Sequence, residues 1–428
     1  MVRTPARAWV VLALGVLAQT AGTLVVTAPA LLIPYLHANG LSLAQAGLLA
    51  SAPTAGMVLT LIAWGAVTDR IGERVVIAGG LVLTTLAVAG AWLAGDDTVL
   101  LGVAFLAAGM TSASTNAASG RVVVGWFPKE RRGLAMGIRQ MSQPLGVTLA
   151  AVTVPQLAEA SGIRSALVLP VLLCAVLAVS CAFGIADPPR PTRKRSPTAD
   201  TSNPTGATSA TSATSATSAT SATSATSATS ATSATSATTN PYRATGFLWR
   251  IHAVSILLVV PQFTLSTYGL VWLVTLGWST SAAGLLVGAA QFVGAIGRIL
   301  VGSWSDHVGS RVGPLRVVAV SAAVVMAVLA LVDVAHLPAA AVVLVVATSV
   351  TVADNGLAYT SVAEAAGPAW SGRALGAQNT GQFIAASVVG PGIGALVGLV
   401  GFAGSFLLVA ALPVLALPLV PRADRSHD

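Results

Sequence analysis

The sequence predicts an all-α membrane protein with twelve transmembrane helices in two pseudo-symmetric six-helix bundles. Three observations carry that prediction. Of the 428 residues, 55% are hydrophobic and only 8% charged, where a soluble domain carries roughly a quarter. The apolar residues fall into twelve stretches, each near the ~20 residues a spanning helix needs, six on either side of one polar segment. And the decapeptide GAVTDRIGER at 65–74 returns 237 positions later as GSWSDHVGSR at 302–311.

Taken in order, the spans of the first half are 8–35, 43–66, 75–94, 98–127, 133–157 and 163–185, and those of the second are 247–275, 279–302, 315–335, 337–366, 372–398 and 401–420. The first is too long for a removable signal peptide and shows no small-residue cleavage site, so it reads as a retained helix. Cys174 and Cys181 both fall inside the sixth span. They suggest neither a disulfide framework nor a metal site.

Lys and Arg set the orientation, because cytoplasmic loops carry their excess. With both termini inside, the cytoplasmic segments hold Arg3, Arg7, Arg70, Arg74, Lys129, Arg131, Arg132, the 190–195 cluster, Arg243, Arg250, Arg311, Arg316, Arg373, Arg422 and Arg425, and the outer loops hold only Arg164. A net charge of +8 is then a matter of topology and attraction to anionic inner-leaflet lipid. No nucleic-acid partner is needed to explain it. The expected setting is the plasma membrane, with a monomeric chain.

The polar segment places domain boundaries at 1–186, 187–246 and 247–428. It contains ten consecutive copies of Ala-Thr-Ser, a composition that buries too little apolar surface to offset its ordering entropy and so predicts a disordered tether. Deleting residues 200–238 is expected to leave folding and activity unchanged, and a loss of either, measured on the purified deletion protein, would give the repeat a role beyond connection.

The halves match beyond the decapeptide. AGLLAS at 46–51 corresponds to AGLLVG at 283–288, GIRQMSQ at 137–143 to GAQNTGQ at 376–382, and Asn116 to Asn355. Parallel repeats of this kind place a binding site near the midplane between bundles, exposed alternately by rocking. With the loop pattern Gly-x-x-x-Asp-Arg/Lys-x-Gly-x-Arg/Lys between spans 2 and 3 and again between 8 and 9, the chain resembles the major facilitator superfamily of transporters over essentially all twelve spans. Gly65, Asp69, Arg70, Gly72 and Arg74 match the pattern, although the further basic residue with which the family pattern ends is Val75 here; in the second copy Gly302, Asp306, Gly309 and Arg311 match, while His307 replaces a basic residue. The resemblance implies a gating role for these loops, retained more fully in the first. The Arg that proton antiporters of the family carry in helix 4 has no counterpart, Phe105 standing near its place, and their helix-5 Gly-Pro is only partly matched by QPLG at 143–146.

Physically, Gly65 and Gly302 allow close helix approach, and Asp69 and Asp306 can accept from the N-terminus of a following helix and pair with a cation. Such contacts can hold a cytoplasmic gate, or can simply be tight charged turns. Asp69→Asn is expected to cut transport severely while leaving expression and solute binding intact, with Asp306→Asn doing less; wild-type transport rates in proteoliposomes containing Asp69→Asn would remove the loop from the gate.

An ionisable residue at bilayer depth costs a few kcal/mol even on lenient scales. Asp354 lies about 13 residues from the cytoplasmic end of its span, or roughly 20 Å at about 1.5 Å per residue, which is near mid-membrane. It is the one carboxylate the sequence places so deep. Burial disfavours a charged carboxylate, which fits the residue either for proton binding and release or for a structural hydrogen bond inside the second bundle. Glu364, nearer the cytoplasm, is a second proton-coupling candidate or a partner for a loop cation such as Arg373. Arg139 and Gln143, spaced by four, share a helix face that can line a cavity and meet an anionic or strongly polar solute; Arg139 can equally pair with the loop acids. Arg121 and Arg298 read as pairing groups between the bundles. Gln19, Thr23, Asn116, Gln262, Tyr268, Gln291, Asn355, Asn379 and Gln382 complete a candidate polar cavity, each equally suited to binding helices together.

The chain has no Gly-x-x-x-x-Gly-Lys-Ser/Thr loop for nucleotide phosphates, and its five His residues are scattered rather than grouped as His-Glu-x-x-His. No cofactor, metal or enzymatic activity is implied. The expected function is secondary active transport of a small organic solute by alternating access, coupled to protons as symport. Proton-coupled export of a drug or metabolite, and a non-transporting membrane sensor on the same scaffold, are the alternatives.

Overall fold

The computed structural model describes residues 6–127, 135, 138–139, 141–186, 240–367 and 370–425, without the side chains of Asp69, residues 120–125, 244, 371 and 372. The Asp69 and Arg121 side chains, the Ala-Thr-Ser repeat, and Arg3, Lys129, Arg131, Arg132 and the 190–195 cluster lie outside the described residues.

Thirteen α-helices are described. In the first half these are α1 (Ala6–Leu31), α2 (Ile33–Ala38), α3 (Leu43–Ile71), α4 (Glu73–Ala94), α5 (Thr98–Trp126) and α6 (Ser142–Gly184). In the second half they are α7 (Pro241–Ala244), α8 (Phe247–Thr275), α9 (Thr280–Val308), α10 (Val312–Val334), α11 (Ala340–Thr351), α12 (Asp354–Ala366) and α13 (Ser371–Ala416). Among the described residues ten stretches are long and apolar enough to cross a membrane. Two of them, Ser142–Gly184 and Arg373–Leu419, have 43 and 47 residues, about twice what one crossing needs. Each reverses direction within its length: α6 leaves helical geometry at Ser161 and Gly162, and α13 at Gly401, where φ is 72°. The twelve expected crossings are therefore present. Where α13 restarts, the Asp333 carboxylate accepts from the Ala403 amide at 3.0 Å and from Trp272 Nε1 at 2.7 Å, satisfying a backbone donor that lipid cannot.

The span expected at 337–366 is divided. α11 ends at Thr351, and α12 begins at Asp354. The interruption puts an acidic side chain in the first turn of a helix inside the span.

In the first bundle α1, α3, α4, α5 and α6 pack on one another, and in the second α8, α9, α10, α11, α12 and α13 do. The bundles meet along two seams, α3 on α13 and α6 on α9. Both seams lie toward the face away from the chain termini, here the far face, where α1 ends and α3 begins. Glycines make the first seam: a Cβ at Gly47 would run into the Gly390 carbonyl, and one at Gly390 into Ser51 Oγ and the Gly47 carbonyl. Backbones can approach this closely only without side chains between them. Thr148 Oγ1 donates to Gly288 O at 3.1 Å and Thr280 Oγ1 to Glu159 Oε1 at 2.6 Å across the second.

The apolar core follows the same division. One cluster, holding Leu36, Ala46 and Val154 together with Val271, Val287 and Val389, is shared by both bundles. Toward the terminal face it gives way to two separate clusters, Ala8, Leu12, Phe127 and Ala135 in the first bundle and a set including Ile251, Leu315, Leu357 and Ala374 in the second. Among the described residues the bundles meet on the far face and part on the terminal face.

The terminal-face loops correct three expectations. A Cβ at Gly65 or Gly302 would meet nothing within 4 Å, so neither glycine serves a close helix approach with the bundles parted on this face. Gly72 and Gly309, at φ 94° and 67°, serve the turn itself. Asp306 does not cap the following helix; its carboxylate pairs with Arg311 Nη1 at 2.5 Å. The N-terminus of α10 is instead capped by Asp424 of the C-terminal tail, whose Oδ1 accepts from the Arg311 and Val312 amides at 2.8 and 2.9 Å. Arg250 and Arg316 hold the same tail by its carbonyls, at Leu419 and Pro421. Glu364 pairs with Arg311 at 3.2 Å rather than with Arg373, which stacks over Trp370 at 4.9 Å. The end of the 187–246 segment is folded: in α7 the Tyr242 hydroxyl lies 2.9 Å from His252 Nε2 of α8.

Candidate functional site

Between the bundles lies a cavity with about 980 Å³ of non-atom space, open solvent included. Its wall comes from α1, α3, α5 and α6 on one side and from α8, α9, α13 and the α11–α12 junction on the other. Of the residues expected to line it, Gln19, Thr23, Asn116, Gln143, Gln262 and Gln291 do. Ser112, Thr115 and Asn116 form one wall of α5, and Met57, Phe263 and Phe383 supply apolar surface. Ser112 and Thr115 are additions to the expected set, although their spacing of three marks one helix face.

Arg298 also lines the cavity. The pairing between bundles expected of it does not form among the described residues; its Nε instead donates to Val352 O of its own bundle at 3.2 Å. Among the described residues it is the only charged side chain in the cavity wall.

Tyr268 does not line the cavity. It is fully buried, and its hydroxyl donates to Gly390 O at 2.5 Å and lies 3.2 Å from Leu43 O. It bridges the two bundles at the α3–α13 seam.

Three further candidates stand behind the wall as a chain of hydrogen bonds. The Tyr359 hydroxyl is 2.6 Å from Asn379 Oδ1 and 3.0 Å from Gln382 Oε1. Gln382 Nε2 donates to Ser255 Oγ at 2.6 Å and Asn355 Oδ1 at 2.8 Å, and Asn355 Nδ2 donates to Gln262 Oε1 at 2.8 Å. In the first bundle Arg139 is likewise behind the wall. Its Nε donates to Ser119 Oγ at 3.0 Å, Ser119 Oγ donates to Gln19 Oε1 at 2.7 Å, and Arg139 Nη2 reaches Asn116 O at 3.3 Å.

Asp354 is 0% exposed, and neither carboxylate oxygen has a hydrogen-bond partner among the described residues. The amides of its own residue and Asn355 act on it electrostatically, as a helix N-terminus does on an anion, without the geometry of a bond. Arg298 and Tyr359 also interact electrostatically with it. Glu364, by contrast, is exposed on the terminal face. Cys174 and Cys181 are free and buried.

Residues 11–389 match the Major Facilitator Superfamily. The chain belongs to that family. An uncharacterised MFS-type transporter of Mycobacterium tuberculosis is 39% identical over 415 residues, covering 96% of this chain and 84% of the relative. Among solved structures, a D-xylose–proton symporter superposes with a TM-score of 0.75 at 15% identity, over 98% of each chain. A bacterial homologue of the human lysosomal transporter Spinster, inward-facing and occupied, superposes at 0.74 and 16%, over 98% of this chain and 97% of that one. The chain is thus a multi-pass membrane transporter of this superfamily, not an enzyme.

Proposed function

We propose that this MFS transporter carries a small organic solute through the interbundle cavity by alternating access, in symport with protons. Asp354 is the observation that carries the coupling. An ionised carboxylate buried without a hydrogen-bond partner costs several kcal/mol, so the group is stabilised either by the nearby Arg298 charge or by taking up a proton. A site with two such states, next to the cavity wall, can link proton occupancy to solute occupancy. The sealed far face and parted terminal face support alternating access, as one of the two end states such a cycle needs. If both termini are cytoplasmic, as the Lys and Arg distribution argues, this is the inward-facing state.

The test is proton movement in proteoliposomes carrying a pH-sensitive dye in the lumen, offered a panel of small organic solutes. Solute entry accompanied by lumen acidification is the expected result. Solute entry with lumen alkalinisation would make the protein an exchanger suited to export, and transport with no proton movement would remove the coupling.

A further inference from the structure

The geometry points to an organic carboxylate with an apolar body as the solute of this cavity, recognised by the Arg298 guanidinium and by the amide N–H groups of Gln19 and Gln262. The inference deepens the reading of the cavity as the transport site and rests on it.

Both amides are turned the same way. In the second bundle Gln382 Nε2 donates to Asn355 Oδ1, and Asn355 Nδ2 donates to Gln262 Oε1. Gln262 therefore has its acceptor used and its two N–H donors left for the cavity. In the first bundle Arg139 donates to Ser119, so the Ser119 hydroxyl proton is directed to Gln19 Oε1. Gln19 too keeps its donors. Arg298 spends only Nε on Val352 O, and its two terminal nitrogens make no hydrogen bond among the described residues.

The wall thus concentrates donors and one positive charge, and it contains no carboxylate among the described residues. A cationic solute finds no counter-charge there, while a carboxylate can take a bidentate pair from the guanidinium. The Phe263, Phe383 and Met57 surface offers an inorganic oxyanion nothing and suits an apolar body. Asp354 competes for the same cation from behind the wall, so a proton on Asp354 leaves Arg298 to the solute.

The experiment is equilibrium binding to the purified full-length protein by thermal shift, without a pH gradient. The probes are benzoate, cinnamate and hexanoate, each beside its amide, with benzylamine and inorganic phosphate as controls. At least one carboxylate is expected to raise Tm where its amide, benzylamine and phosphate do not. Arg298→Gln should weaken that carboxylate at least about tenfold, roughly 1.4 kcal/mol, Arg298→Lys should retain part of it, and Asp354→Asn should strengthen it. Gln262→Met, which leaves the charges in place, should weaken it several-fold and keeps the test open if Arg298→Gln does not fold. Stronger stabilisation by the amides, benzylamine or phosphate, carboxylate binding unchanged in Arg298→Gln and Gln262→Met, or no effect of any carboxylate at about 10 mM would overturn the inference. Carboxylate binding without solute-driven proton movement would sink the symport reading alone, and proton-coupled transport of a neutral solute would sink this inference alone.

Discussion

Asp354→Asn is expected to abolish uphill accumulation of solute while leaving downhill exchange within about tenfold of wild type. Asparagine keeps the shape of the side chain and imitates the protonated form, so the cavity retains its geometry and loses its titration. Arg298 then has no competing anion at any pH, and solute binding should lose whatever pH dependence Asp354 confers. The measurement compares uptake driven by an imposed pH gradient with solute counterflow in the absence of one. Full gradient-driven accumulation by Asp354→Asn would return this residue to a structural role. The substitution replaces one fully buried polar group by another, so retained counterflow also serves as the check that the protein is folded.

The second large effect is expected at the α3–α13 seam. A side chain at Gly390 would overlap Ser51 Oγ and the Gly47 carbonyl, and overpacking of a tight contact costs about 1–3 kcal/mol. That cost falls only on the state in which the far face is closed. Gly390→Val should therefore shift the population toward far-face opening by roughly 5- to 150-fold and slow transport accordingly, with Gly390→Ala intermediate. A cysteine introduced at Ala46, which is 0% exposed in this state, reports the shift through its reaction with a membrane-impermeant maleimide. Cys174 and Cys181 are buried and give little background. Wild-type transport and unchanged labelling at Ala46→Cys in the Gly390→Val protein would show that the seam does not gate.

The spans are legible in the sequence because hydropathy over about twenty residues is a property of composition, and the two halves because their motifs keep a fixed offset. Faces and partners are less legible. Tyr268 reads as a cavity residue because its position on an apolar helix does not say which neighbour it meets; that is fixed by the Leu43 and Gly390 carbonyls, from distant parts of the chain. Arg298 reads as a pairing group between the bundles because eight positions from Asp306 looks close to the membrane edge, yet α9 continues to Val308 and carries the guanidinium to the cavity wall. The partner of Glu364 is misjudged for the same reason: Arg373 is near in sequence, Arg311 in space. The direction of the Gln19 and Gln262 amides depends on hydrogen bonds relayed across several helices, which no local pattern encodes.

The Asp424 bracket has a mechanical consequence. One short tail holds the start of α10 through backbone amides, α8 through Arg250 and α10 again through Arg316. Arg311 extends the connection to the end of α9 and to α12 through Asp306 and Glu364. Cross-bracing of this kind turns four helix ends into a single lever arm. A displacement of α9 when solute engages Arg298 is then transmitted to the whole rim of the second bundle instead of being absorbed by one helix bending on its own.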